Sequence, residues 1–312
     1  MDRNLALEFV RVTEAAAIAA ARFVGRGDGK AADKVAVDEM RDRFNYVDFE
    51  GVVVIGEGAK DDAPELFIGE KLGTGTGVAL DIAVDPLECT DSVANGRPNA
   101  IAVIATGSKG SLYKAPDMYM NKIACGPAAK GAIDLDASVK YNVAAVAKKL
   151  GKEVSEMTIM VMDRPRHEQL IADIRTVGAR VVLITDGDVA GAISCSLDAS
   201  PIDMLMGIGA SAEGVLAAVA IKCLGGDMQC RLAPKTDTER NGLKAQGIDP
   251  DQLLTIEDLA SGRDLTFTAT GVIDGPLLKG VRYEQNYTLT HSVVMRVKTG
   301  TIRFLETKHR QE

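Results

Sequence analysis

Asp81-Ile82-Ala83-Val84-Asp85-Pro86-Leu87-Glu88-Cys89-Thr90 decides the reading of this 312-residue chain. Its first half is an apolar strand that delivers Asp85. Pro86 has no N–H for a sheet ladder, so the strand is expected to break there. A carboxylate, Glu88, and a hydroxyl, Thr90, follow within five residues. Upstream, Val52-Val53-Val54-Ile55-Gly56-Glu57-Gly58 places a second acidic residue directly after an apolar strand. Carboxylates set at strand ends can converge at one sheet edge, where they repel unless a cation lies between them. Oxygen-only donors favour Mg²⁺ or Mn²⁺ over zinc. Two such ions beside a phosphate make a hydrolytic site.

Composition narrows the partners. Hydrophobic residues make up 46% of the chain, enough for a large core in two domains. The net charge of −8 speaks against nucleic-acid and membrane-surface partners, both of which need basic patches. It leaves phosphate substrates open, because bound cations reverse the local sign. Aromatic content is 4% with no Trp, which argues against base stacking. Five cysteines are scattered, odd in number and without a CxxC pair, and no signal peptide is read ahead of them. A reduced cytoplasmic protein is expected. No apolar run reaches the roughly 20 residues of a membrane helix.

Helical periodicity covers 3–24, and a second helix is expected over about 31–45 with Asp33 in its first turn. Strands are expected at 52–55, 78–84 and 100–105. All are apolar on both faces, so their sheet should be covered on both sides. Residues 113–122 read as a polar connector, and a helix over 139–150 should end at Gly151. Beyond it the rhythm becomes β-α-β-α-β, with strands at 157–162, 180–184 and 203–206 and a helix over 213–224. Parallel strands are expected here, with ligand-binding loops at their carboxyl ends. From Thr266 onward the chain reads as further strands, turning near Lys298-Thr299-Gly300. The expected division is one α/β domain over 1–150, onto which strands from about 260 can pack back, and a second over 151–312.

Asp33, Glu57, Asp85 and Glu88 are the candidate metal ligands. Each alone reads as a cap or loop carboxylate. Together, with two of them directly after strands, they favour a metal site. Thr90 can orient a water or cap a helix. Asp61 or Asp62 can serve as a base or lie on the surface. Arg164-Pro165-Arg166-His167 sets two guanidinium groups at a strand end, suited to bidentate phosphate binding and equally to a helix start. Asp186-Gly187-Asp188 offers acceptors for sugar hydroxyls or a helix cap. Glu213 opens a helix, where it can complete a metal shell or simply oppose the dipole. Gly73-Thr74-Gly75-Thr76-Gly77 lacks nucleotide-loop spacing and reads as a turn.

In order along the chain, these motifs resemble the class II, GlpX-type fructose-1,6-bisphosphatases of the lithium-sensitive, metal-dependent phosphatase superfamily. The resemblance spans nearly the whole chain. It rests on Gly25-Arg26-Gly27-Asp28 with Ala32-Asp33, Ile55-Gly56-Glu57-Gly58 with Asp62-Ala63-Pro64, and Asp81-Ile82-Ala83-Val84-Asp85-Pro86. It continues through Ala115-Pro116-Asp117-Met118-Tyr119-Met120, Arg164-Pro165-Arg166-His167, Asp186-Gly187-Asp188 and Glu213-Gly214-Val215. It implies a layered α/β sugar-phosphatase fold, with two sheet domains and the active site between them. It also implies a homodimer or homotetramer. The implied reaction is hydrolysis of the 1-phosphate of fructose 1,6-bisphosphate.

By the family's pattern, Asp33 and Glu57 would hold one metal, and Asp85, Glu88 and Glu213 another. Thr90 and Asp61 would serve the nucleophilic water. Glu88, Cys89, Thr90, Tyr119, Arg164, Pro165, Arg166, Asp186, Gly187, Asp188 and Ala210 would line the substrate. Sedoheptulose 1,7-bisphosphate is the alternative substrate. A second alternative is a sugar-phosphate-binding homologue with weakened turnover, because Cys89 replaces the family's glycine and Asp91 adds a negative charge.

Overall fold

The structure, a computed structural model, describes residues 5–58, 65–197 and 200–310. In chain order the elements are α1 (Leu5–Ala21), α2 (Gly29–Phe44), β1 (Glu50–Ile55), β2 (Lys71–Leu72), β3 (Ala79–Glu88), α3 (Thr90–Asn95) and β4 (Ala100–Ser108). Then come β5 (Tyr119–Cys125), α4 (Val139–Leu150), β6 (Thr158–Met162), α5 (Glu168–Val177), β7 (Arg180–Ile184), α6 (Asp188–Ser194), β8 (Met204–Ala210) and α7 (Ser211–Leu224). The rest are β9 (Asp227–Leu232), α8 (Asp237–Ala245), β10 (Leu254–Thr255), α9 (Ile256–Leu259), β11 (Thr266–Ile273), β12 (Arg282–Tyr283), β13 (Tyr287–Arg296) and β14 (Thr301–Arg310).

Two compact units result: Met1–Lys114 with Gly262–Glu312, and Ala115–Ser261. This division differs from one at residue 150. The chain leaves the first unit before β5, because β5 pairs with β8 and β9 and not with the first sheet. It returns because β11 lies antiparallel to β4 from Thr266↔Thr106 to Ile273↔Ala100.

The first unit holds a sheet ordered β12-β13-β11-β4-β3-β1-β2, with β14 paired to β13. As strands apolar on both faces should be, β3, β4 and β11 are buried along nearly their whole length. One face packs on α1 and α2. There Leu80, Ile82, Val84 and Leu87 of β3 meet a cluster of Phe9, Phe44 and Phe49, whose rings lie 5.3–6.2 Å apart in edge and tilted contacts. The Gly73–Gly77 segment is the turn between β2 and β3, as expected. Gly73 is required there, since a Cβ would fall 2.2 Å from the Phe49 carbonyl oxygen.

One expectation fails at β3. The strand does not break at Pro86 but runs on to Glu88 through a bulge. Asp85 faces Val103 and Glu88 faces Ile101, so Pro86 and Leu87 together oppose Ala102. A bulge leaves a residue out of the ladder, which accommodates a proline in a central strand.

The second unit holds a sheet ordered β10-β9-β5-β8-β6-β7. β6 is parallel to both β7 and β8, as the β-α-β rhythm predicted. Residues 113–122 are not a plain connector, because Tyr119–Cys125 is a central strand with a lysine, Lys122, facing inward. Nor does the 203–206 strand end where expected. β8 continues through Gly207-Ile208-Gly209-Ala210, paired to Lys122, Asn121, Met120 and Tyr119 in turn. Among the described residues, no helix is long and apolar enough to cross a membrane.

Candidate active site

In the first unit, the bulge sets the geometry of two acidic residues. Residues directly opposed in a sheet share a face, and so do positions i and i+2. Val103 and Ile101 share a face, so their partners Asp85 and Glu88 do too. Without the extra residue, a separation of three would put the two carboxylates on opposite faces. Leu87 correspondingly stays on the core face with Leu80, Ile82 and Val84. Asp85 is held locally by the Leu87 N–H, which donates to its Oδ1 at 3.1 Å.

Directly after Glu88 the chain turns through Cys89 in the left-handed region, with φ +75°. Thr90 then opens α3, and its hydroxyl donates to the Leu87 carbonyl at 3.2 Å. The loop before α2 is tied to α3 through Gly25 N–H to Val93 O at 2.8 Å and Gly27 N–H to Ala94 O at 2.9 Å. Gly29, the first residue of α2, lets the two helices approach. A Cβ there would lie 3.0 Å from the Thr90 methyl. This packing carries Asp33, in the first two turns of α2, toward the same end of the unit.

Glu57 follows β1. Its N–H donates to Leu66 O at 3.0 Å, and Ile68 N–H donates to Gly58 O at 3.0 Å. That backbone crossing exists because residue 56 has no side chain: a Cβ on Gly56 would sit 2.0 Å from the Leu66 carbonyl oxygen. Burial, and then the neighbouring Asp33 carboxylate, push Glu57 up to about 7. Asp33 is raised as well, by burial. A carboxylate whose charge opposes the ionisation of a second one, itself anchored through its backbone, makes with it a donor pair that suits a divalent cation. Asp61, with Asp62, Ala63 and Pro64, lies outside the described residues.

Cys89 is 6% exposed and packs in the α1–α2 core cluster. The backbone conformation explains why glycine suits this position. Cys89→Gly is expected to be at least as stable as Cys89→Ala in urea unfolding, although it buries less. The gain is relief of about 1 kcal/mol of left-handed strain. A Cys89→Ala variant clearly more stable than Cys89→Gly would contradict this account.

In the second unit, the topology gathers the remaining candidates at one end of the sheet. β6, β7 and β8 point the same way, and β5 runs against both β8 and β9. The carboxyl ends of β6–β9 and the start of β5 therefore share an edge. Tyr119 begins β5 opposite Ala210, the last residue of β8. Arg164-Pro165-Arg166 follows β6, with Pro165 opening a short 3-10 turn. Arg166 donates Nε and Nη2 to Ile208 O at 3.0 and 2.8 Å, and its guanidinium carbon lies 4.7 Å from the Tyr119 ring centre. Arg164 donates to the Asp163 carbonyl and lies 3.9 Å from Asp186. Gly187, with φ +87°, caps α6, and Asp188 begins it.

Asp188 is not an open sugar ligand on both oxygens. Its Oδ2 accepts from Lys122 Nζ at 2.6 Å, with Lys122 2% and Asp188 7% exposed. Gly209 makes room, since a Cβ there would meet Asp188 Oδ2 at 1.9 Å and Lys122 Nζ at 3.0 Å. Glu213 in the first turn of α7 feels the same group. Burial pushes its carboxyl above the ordinary carboxylate range, Lys122 opposes that, and Asp188 and Asp186 add to it. Its Oε2 is sealed from solvent with no hydrogen bond. Burial alone would lower the Lys122 ammonium, but Asp188 and Glu213 outweigh it and hold it above its ordinary value.

His167 closes the Arg164–His167 motif, where sequence reading assigns it no role of its own. It is 1% exposed and bridges β6 to β8 beyond their last paired residues. Its Nε2 accepts from Ile208 N–H at 2.8 Å, so the proton sits on Nδ1 and goes to Met162 O at 2.8 Å. Burial holds this imidazole below its ordinary value. A depressed folded value gives stability that is complete above the unfolded value, about 6.5, and is lost as pH falls through the folded one. Urea midpoints should therefore drop on acidification from pH 7 to pH 5, and less steeply in His167→Gln.

Within the units, the structure brings Asp33 to Glu57, Asp85 to the face of Glu88, Arg166 to Tyr119, and Asp188 to Lys122 and Glu213. Among the described residues, no group of three or more His, Cys, Asp or Glu side chains is set to hold a metal ion. Sequence reasoning missed Lys122, Lys235 and the structural part of His167. For Lys122 the sequence signal was faint: the lysine follows the polar Asn121 and is succeeded by the apolar run Ile123-Ala124-Cys125.

The family model for bacterial fructose-1,6-bisphosphatase, glpX-encoded, matches residues 3–309. The chain belongs to this family. Curated relatives agree along the full length. A fructose-1,6-bisphosphatase class 2 of Haemophilus influenzae is 46% identical, covering 99% of this chain and 97% of its own. A D-fructose 1,6-bisphosphatase class 2/sedoheptulose 1,7-bisphosphatase of Synechococcus sp. (strain JA-3-3Ab) is 45% identical, covering 100% and 97%. Among solved structures, an extragenic suppressor from Pyrococcus furiosus is similar at 15% identity over 62% of this chain and 68% of its own, with a TM-score of 0.31, too low to carry an argument. The GlpX-type residues quoted from the sequence thus stand in a chain of that family, on an α/β framework of two sheets.

Proposed function

We propose that the protein hydrolyses the 1-phosphate of fructose 1,6-bisphosphate to fructose 6-phosphate, as a phosphoric monoester hydrolase. The observation that carries this is the family match over residues 3–309. Asp33, Glu57, Asp85, Glu88 and Glu213 are proposed to hold Mg²⁺ or Mn²⁺, two ions or more. When bound, the ions supply charge neutralisation at the phosphoryl group and a water of lowered pKa. The Asp33–Glu57 opposition supports a cation at the first pair.

The chain's own residues supply the rest. The Thr90 hydroxyl, its proton directed to Leu87 O, presents lone pairs that can orient a water proton. Asp61 is proposed as the base. Arg164 and Arg166 bind the phosphate that is not released, beside Tyr119. Asp186 and Asp188 accept hydrogen bonds from sugar hydroxyls, with Gly187 and Ala210 allowing close approach. Cytoplasmic placement is proposed because the five cysteines are buried and, among the described residues, form no disulfide. A homodimer or homotetramer is proposed from family membership alone.

Phosphate release tests this reading directly, with fructose 1,6-bisphosphate and sedoheptulose 1,7-bisphosphate, in Mn²⁺, Mg²⁺ or EDTA. Release that needs metal and selects a sugar bisphosphate is expected. No release from folded protein with either ion would overturn it in favour of a binding protein. The joint name of the Synechococcus relative is what keeps sedoheptulose 1,7-bisphosphate as a second substrate.

A further inference from the structure

Lys235 stands in the loop between β9 and α8, and the sequence reading gave it no role. Its ammonium lies 4.1 Å from the centre of the Tyr119 ring, and the Arg166 guanidinium carbon lies 4.7 Å from the same centre. The placement is built by backbone. Ala233 N–H donates to Tyr119 O at 2.8 Å, extending the β9–β5 pairing by one rung. Lys235 N–H then donates to the Glu239 carboxylate at 2.6 Å, and Thr236 caps α8. Glu239 is thus spent on the backbone of Lys235. Among the described residues no carboxylate pairs with either the Lys235 ammonium or the Arg166 guanidinium, whose Nε and Nη2 are given to Ile208 O.

Two like charges within about 9 Å, neither neutralised by a carboxylate, repel each other. In a chain of net charge −8 their convergence on one ring runs against the general trend. The ring face attracts each cation modestly, by roughly 0.5–1 kcal/mol at an exposed site. A dianion that both cations reach offsets the repulsion and gains charge-assisted hydrogen bonds. A phosphate monoester carries that charge.

We infer that Lys235 is a specificity residue that holds the non-reacting phosphate of the sugar bisphosphate together with Arg166, beside Tyr119. The inference rests on the proposed phosphatase reading and adds to it a cation supplied by the loop after β9. It makes the enzyme prefer a bisphosphate over a monophosphate, because Lys235 contacts only the phosphate that stays.

Lys235→Met keeps the alkyl stem on the ring and removes the charge. Fructose 6-phosphate carries only the retained phosphate, and fructose 1-phosphate only the reacting one. The variant should raise KM for fructose 1,6-bisphosphate about tenfold, the equivalent of one charged contact, at nearly unchanged kcat. Its kcat/KM on fructose 1-phosphate should equal that of the wild type. Fructose 6-phosphate binding by calorimetry should weaken about tenfold, and Lys235→Arg should restore it. Equal losses on fructose 1-phosphate and on the bisphosphate, or unchanged fructose 6-phosphate affinity, would overturn the inference. Should wild-type protein release no phosphate at all, the phosphatase reading fails, and the fructose 6-phosphate arm still decides Lys235.

Discussion

Lys122→Met is expected to destabilise the second unit by about 3–5 kcal/mol, because it strands Asp188 and Glu213 without their shared cation. Total stability of a folded chain is typically about 5–15 kcal/mol, so the loss should appear as a large fall in the urea midpoint. The size follows from burial. Lys122 and Asp188 are almost wholly enclosed at 2.6 Å, whereas exposed pairs such as Lys34–Asp38 contribute roughly 0–1 kcal/mol. Removing the stranded charges tests the cause. Lys122→Met with Asp188→Asn and Glu213→Gln should recover more than half of the loss, since the cost lies in unpaired buried charge and not in the pairing itself. A triple variant as unstable as the single one would assign the effect to packing.

Gly56→Ala should have the largest effect on activity among substitutions that touch no charged group. The new Cβ would meet a backbone oxygen, Leu66 O, and backbone cannot swing aside as a side chain can. Either the Glu57 N–H to Leu66 O bond stretches or the carboxylate moves. A displacement of about 1 Å in a catalytic group typically costs about 100-fold in rate, and overpacking adds about 1–3 kcal/mol of instability. Steady-state kcat/KM with saturating metal reads the first, and thermal unfolding the second. Gly242→Ala in α8, where nothing lies within 4 Å of the new Cβ, is the control and should gain up to about 1 kcal/mol. Wild-type activity in Gly56→Ala would mean that the crossing at Leu66 does not position Glu57.

What could be read from the sequence was whatever local pattern encodes. The α4 helix with its Gly151 cap, the 180–184 strand and the Lys298–Gly300 turn are all short-range signals, and they stand where expected. The order of acidic motifs carried the candidate site. What stayed hidden depends on partners distant in sequence. β5 reads as a connector because Asn121 and Lys122 are polar, and only Asp188 across the sheet makes a buried lysine tolerable. The β3 bulge is invisible without β4 opposite it, since Pro86 by itself predicts a stop. Lys235 carries no motif, and its meaning comes from a ring 116 positions earlier, brought beside it by β5–β9 pairing.

The second unit is one uninterrupted stretch, Ala115–Ser261, lodged between the two parts of the first. On a ribosome this imposes a schedule. β4 emerges early, yet its neighbour β11 is made more than 150 residues later, when the inserted unit is already fully synthesised. At about 5–20 residues per second, one edge of an apolar strand waits several seconds or more for its pair. Refolding of the full chain should therefore be sequential, with the inserted unit acquiring structure first and closure of the first sheet following as the slower, high-contact-order step. Truncation at the C-terminal end would leave β4 exposed as a sticky edge while the inserted unit remained intact.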